Sequence, residues 1–214
     1  MKKLLVILTT LAFVVGFSTV SFAAITGSAH DFQSNGWSGG EICVVCHTPH
    51  NAMTITDAPL WNHTESTVTS YTLYSSSTLN AVPGQPTGVS KLCLACHDGS
   101  VAIDAFGLTP GSTVYITDFA GRQVGDASGP GGTTGSLAQD HPVSFAYNAA
   151  LATADGELVT PTDATTVEGT LPLFSASVEC ATCHDVHATG TVASTPLLRI
   201  TNAGSAICLA CHTK

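Results

Sequence analysis

The chain has 214 residues, a formal charge of −9, and only 10% charged residues, against about 25% in an average soluble domain. Fifteen acids face six bases, and two of those bases, Lys2 and Lys3, fall in an N-terminal segment that reads as an export signal. Four bases remain beyond it, Lys91, Arg122, Arg199 and Lys214, which is too few to neutralise a nucleic-acid backbone and excludes that class of partner.

Lys2 and Lys3 form the positive start of that signal, Leu4 to Val15 its apolar stretch, and Ser21-Phe22-Ala23 the small-residue cleavage site. Residues 1–23 are therefore expected to be a signal peptide and residues 24–214 the mature domain, with cleavage after Ala24 as the second choice. No cysteine lies near the cut, so a lipid anchor is not expected. No second long apolar run follows, so the mature chain is expected to have no membrane span.

Beyond the signal, Thr67–Tyr74 alternates as a short strand, and Tyr115–Phe119 reads as another. Residues 107–136 are rich in glycine and read as loop. Gly204–Cys211 reads as a short helix, and no long amphipathic helix is visible.

All 8 cysteines fall in Cys-x-x-Cys-His runs: Cys43-Val-Val-Cys46-His47, Cys93-Leu-Ala-Cys96-His97, Cys180-Ala-Thr-Cys183-His184 and Cys208-Leu-Ala-Cys211-His212. This is the attachment signature of c-type haem. Two thiols three residues apart sit on one side of a helical turn, where they reach both vinyl groups of one haem, and the next histidine binds the iron. Disulfides or zinc can also use exported thiols, but neither requires a histidine after every second cysteine. The cofactors expected are four covalently bound haem c, with His47, His97, His184 and His212 as proximal ligands.

Nine histidines less these four leave His30, His50, His63, His141 and His187 as distal candidates, one more than four irons need. Met53 is the single methionine beyond the signal, so bis-histidine ligation is the natural reading. His50 and His187 each lie three residues after a motif histidine, an offset that points away from their own haem. His63 follows the aromatic Trp61, and Asp140 is placed to hold His141 or its neighbours. His30 is the expected odd one out. A six-coordinate iron has no position for substrate, so an electron-transfer protein is expected, not an enzyme.

With 7% aromatics the chain has little from which to build a core, and four haems leave about 48 residues each in a mature chain of 191. The expected fold is mostly irregular coil, with a few short helices and minor strands, wrapped around a stack of four c-type haems. Rings so thinly coated come close to contact, which suits electron hopping.

The order Ala29-His30-Asp31-Phe32, Ile42-Cys43 to Ala52, Pro59-Leu60-Trp61-Asn62-His63, Leu92-Cys93 to Gly99, Asp140-His141-Pro142-Val143, Glu179-Cys180 to Asp185 and the final Cys208 to His212 resembles the multihaem cytochromes of metal-reducing bacteria. It is most like the tetrahaem outer-surface cytochrome E (OmcE) type. The resemblance implies a secreted protein at the outer cell surface, reached through the periplasm. It implies head-to-tail polymerisation with copies of itself into a conductive filament, with one distal histidine supplied by the adjacent subunit. The surplus histidine makes His30 the expected crossing residue. Other multihaem cytochromes are the expected electron donors and extracellular metal oxides the expected acceptors. A soluble periplasmic tetrahaem shuttle is the alternative, since it needs the same export and the same ligands.

Overall fold

A computed structural model describes residues 25–55, 58–108, 111–167, 169–187 and 197–214. Residues 1–23, the expected signal peptide, lie outside the described residues. Among those described, no helix is long and apolar enough to cross a membrane.

Among the described residues the strands are short and come as four separate pairs. Strand β1 (Met53–Ile55) pairs antiparallel with β2 (Ala58–Trp61). Strand β3 (Ser70–Thr72) pairs in parallel with β4 (Thr134–Ser136), with Tyr71 opposite Gly135. Strand β5 (Phe145–Ala146) pairs with β8 (Ser177–Val178), and β6 (Thr166–Val167) with β7 (Leu171–Pro172), both antiparallel. Helix α1 (Gly88–His97) is the longest; α2 (Ala149–Asp155), α3 (Cys180–Cys183) and α4 (Ala206–Leu209) are short.

Local chemistry sets these limits. The strand expected over 67–74 is realised only at Ser70–Thr72, because the Gln85 side chain occupies the other edge of Tyr71. Its Oε1 accepts from the Tyr71 N–H at 2.7 Å and its Nε2 donates to the Tyr71 carbonyl at 3.0 Å. Tyr115–Phe119 is not a strand. Ile116–Asp118 forms a 3-10 turn, closed by the Phe119 N–H on the Ile116 carbonyl at 2.9 Å. Asp118 Oδ2 accepts from the Tyr115 N–H at 3.0 Å, so an acid near the end of the alternating run caps a turn. The helix expected over 204–211 is present as a 3-10 turn at Ala203–Ser205 followed by α4. Among the described residues of 107–136 the glycine-rich loop holds, apart from that 3-10 turn and β4.

Apolar burial is divided among small clusters. Phe145, Tyr147, Val167, Leu173 and Val178 form one; Val68, Tyr71, Leu94 and Leu137 another; Val101, Ala102 and Ala105 a third. Coil with few helices and minor strands is therefore the architecture. Its motif-bearing helices are tied together directly. The Ser90 hydroxyl on α1 accepts from the Cys180 N–H of α3 at 2.9 Å and donates to Glu179.

Candidate haem-attachment site

Each Cys-x-x-Cys-His run closes a helical turn. The His47 N–H donates to the Cys43 carbonyl at 2.9 Å, that of His184 to Cys180 at 3.0 Å and that of His212 to Cys208 at 2.9 Å. The second motif is the last turn of α1. Beyond the turn, three motif histidines lie on extended backbone, bridged to Trp61, Leu198 and Leu158 respectively. The third motif is further braced by Arg199, whose Nε donates to the Ala181 carbonyl at 2.8 Å and whose Nη1 lies 3.2 Å from Asp185 Oδ2. Asp185 in turn accepts from the His187 N–H at 3.0 Å.

The imidazoles are aimed by the backbone. His47 Nδ1 is 2.8 Å from the Pro59 carbonyl, His97 Nδ1 is 2.8 Å from that of Arg122, and His141 Nδ1 is 2.9 Å from that of Pro142. Donation of Nδ1–H to a carbonyl fixes the tautomer and leaves the Nε2 lone pair for a metal. Asp140 does not take that role for His141; its carboxylate faces the Gly125 N–H, and burial with the nearby charge of Asp126 raises its pKa.

Three motif histidines face a distant imidazole. His47 stacks on His187 with ring centroids 6.1 Å apart and planes at 21°. His97 faces His30 at 5.9 Å and 42°, and His212 faces His141 at 6.5 Å and 76°. Two imidazoles bound trans to one metal, with metal–nitrogen bonds of about 2 Å, place their centroids about 6 Å apart. All three pairs have that separation.

His30 thus lies against His97 of its own chain. The reason is aromatic packing. His30 meets Phe32 edge-on at 6.1 Å, Phe32 meets Trp37 at 5.4 Å, and Trp37 meets Phe106 at 6.0 Å, which pins the N-terminal segment. Burial lowers the His30 pKa to about 4, helped by the charges of His97, Arg122 and His184.

The two other candidates differ sharply. His50 is exposed, and among the described residues no imidazole stacks on it. His63 is 0% exposed, with Nδ1 2.7 Å from the Thr64 carbonyl, and Nε2 3.1 Å from that of Ala102 and 3.3 Å from Cys96 Sγ. Burial lowers its pKa, so it is a neutral ring with one N–H to donate.

The eight cysteines are free thiols and form a row in motif order. Burial pushes Cys46 up to about 11, with a contribution from Cys43. Burial also raises Cys96, which feels Cys46. A hydrogen bond shared with Cys180, then burial, raises Cys93. Burial pushes Cys183 up to about 11, and the next contribution comes from Cys211. The first motif thus adjoins the second, the second the third, and the third the fourth.

These residues fit haem c. Two thiols and an imidazole in each run, with imidazoles paired at three of the four, are the groups that a covalently attached haem requires. Two buried polar atoms, His30 Nδ1 and Trp61 Nε1, have no partner within the described chain, and the Trp61 ring stands edge-on to His47 at 6.4 Å and 89°. A tetrahedral zinc site needs four converging ligands, and among the described residues no group of three His, Cys, Asp or Glu side chains converges in that way.

The doubled CXXCH motif family matches residues 174–214, which hold the third and fourth motifs. This match supports a multihaem c-type cytochrome. No curated protein matches the chain. Multihaem c-type cytochromes bind haem covalently through their Cys-x-x-Cys-His runs and work in electron transfer.

Residue patterns alone did not point to Arg199, Ser90, Glu179 or Asp98 as parts of the site. Glu179 and Asp98 flank motifs, but nothing in their spacing announces the partners that the fold brings to them.

Proposed function

We propose that the chain is a tetrahaem cytochrome that carries electrons outside the cell as a head-to-tail filament. The observation that carries the electron-transfer part is the set of three imidazole pairs, His47–His187, His97–His30 and His212–His141, each at the spacing of two ligands on one iron. When bound, haem supplies a reversible one-electron iron couple. The paired histidines would each give one imidazole to that iron, which would leave no position for substrate and keep its ligands the same in both oxidation states. The backbone carbonyls of Pro59, Arg122 and Pro142 hold those rings in place. The adjoining thiols of successive motifs set attachment points side by side, which favours hopping from one motif to the next.

The filament part rests on the sequence resemblance and on His50. With His30 engaged inside the chain and His63 enclosed by backbone carbonyls, His50 is the exposed imidazole available to an iron of an adjacent copy. A heterologous contact of that kind does not close on itself and generates an open helical assembly.

Secreted material tests both parts. Intact mass is expected to exceed that of the mature chain by four haems, and the reduced protein is expected to bind no carbon monoxide. Electron micrographs are expected to show filaments that are lost in His50→Ala. Four-haem monomers in the wild type would replace the filament with the soluble shuttle. A colourless protein would overturn the whole reading.

A further inference from the structure

Asp98 follows the last residue of α1, and its side chain is fully buried. Its Oδ2 accepts from the Tyr71 hydroxyl at 2.6 Å and from the Ser66 hydroxyl, and its Oδ1 accepts from the Ser100 N–H at 2.7 Å. Three donors from two segments converge on one carboxylate. The ion pairs of the described residues involve Glu65, Asp185 and Glu157, so no described lysine or arginine neutralises Asp98.

This charge is held rigidly beside the second motif. The Asp98 carbonyl accepts from the Ala127 N–H at 2.9 Å and from Gln123 Nε2 at 3.0 Å. The adjoining His97 carbonyl accepts from the Val124 N–H at 2.8 Å. Arg122, whose charge is felt at His30, is exposed and therefore screened by solvent. The buried anion outweighs it.

We infer that Asp98 is a positioning residue that sets the reduction potential of the iron held by His97, its buried negative charge favouring the ferric state over the ferrous. The inference rests on the haem-binding reading above. In the one-electron couple, ferric iron gains an electron and its site loses a positive charge. A fixed anion nearby opposes that gain, and the Tyr71, Ser66 and Ser100 donors moderate the opposition by drawing charge from the carboxylate.

The test is a redox titration of the haem-loaded protein that resolves individual haems, for example by paramagnetic NMR. Asp98→Asn keeps the shape and removes the charge. It is expected to raise the reduction equilibrium constant of one haem by about tenfold, about 59 mV for a one-electron couple, and to leave the others within about twofold. Tyr71→Phe keeps the ring and removes a donor, so it is expected to move the same haem in the opposite direction. A structural role for Asp98 would not reverse sign between the two variants. Potentials unchanged within about twofold in Asp98→Asn, or both variants moving the same way, would overturn the inference. Should Asp98→Asn fail to load haem, a downward shift in Tyr71→Phe supports the inference and an upward or absent shift overturns it. Wild-type protein without covalent haem by intact mass would remove the haem reading itself, and the inference with it.

Discussion

The hydroxyl of Ser90 and the backbone N–H of Cys180 meet at 2.9 Å, and the same hydroxyl donates to Glu179. One buried oxygen on α1 thereby satisfies the start of α3 and fixes the second motif against the third. Glu179 also accepts from the Ser144 hydroxyl at 2.9 Å, so the β5 side of the molecule is drawn into the same joint. Ser90→Ala removes a donor and an acceptor from a buried network. The expected loss is about 1–3 kcal/mol of stability, read from denaturant midpoints of the haem-loaded protein with haem content checked by mass.

The contact of His30 with His97 at 5.9 Å leads to a spectroscopic outcome. His30→Ala takes away one of two imidazoles while Cys93 and Cys96 remain to hold a haem covalently. The expected product carries a full haem complement and one open coordination position. Carbon monoxide is therefore expected to bind the reduced variant at about one per chain. Carbon monoxide binding together with loss of filaments would return His30 to a role between subunits, and absence of carbon monoxide binding would remove His30 as an iron ligand.

These two cases mark how far the residue pattern reads the site. The four Cys-x-x-Cys-His runs are legible because haem attachment is local chemistry: two thiols and an imidazole must fit one turn. Pairing is different. His47 finds His187, and His212 finds His141, through the tertiary path of a chain made mostly of coil, which no periodicity encodes. Counting histidines gives five candidates for four expected places, but it does not say which is the extra one. The aromatic run His30, Phe32, Trp37 and Phe106 packs the N-terminal segment beside His97, and Phe106 is too distant in the chain to be recognised as part of it. At the level of elements, the strand around Tyr71 is legible from its alternation. Tyr115–Phe119 alternates as well, yet Asp118 caps a turn there.

Gly135 gives a packing prediction. It lies opposite Tyr71 in the parallel β3–β4 pair, and a Cβ there would press on the Gly125 carbonyl and come 2.8 Å from Tyr71 Cδ1. Neither neighbour yields easily, since one is backbone and the other is a ring whose hydroxyl is bound to Asp98. Gly135→Ala is expected to cost about 1–3 kcal/mol, the range for overpacking. The same denaturant titration measures it.

Asp104 gives a pH prediction. Its Oδ2 accepts from the Thr113 hydroxyl at 2.8 Å, and its Oδ1 accepts from the Thr113 and Val114 N–H groups, each at 3.2 Å. Burial alone raises this carboxyl, but the hydrogen bonds from Thr113 and Val114 outweigh it and hold the pKa below the ordinary value. The folded state therefore binds a proton less readily than the unfolded chain, whose aspartate titrates near about 3.9. Above that value both states are ionised and the stabilisation is complete. As pH falls through it and on through the lower folded pKa, the unfolded state takes up its proton first and the stabilisation is lost. Asp104→Asn lacks this term at every pH. The gap in denaturant midpoint between wild type and variant is expected to be widest near neutral pH and to narrow toward pH of about 3. A gap that stays constant over that range would show that the Asp104 carboxylate is not stabilised by the Thr113–Val114 segment.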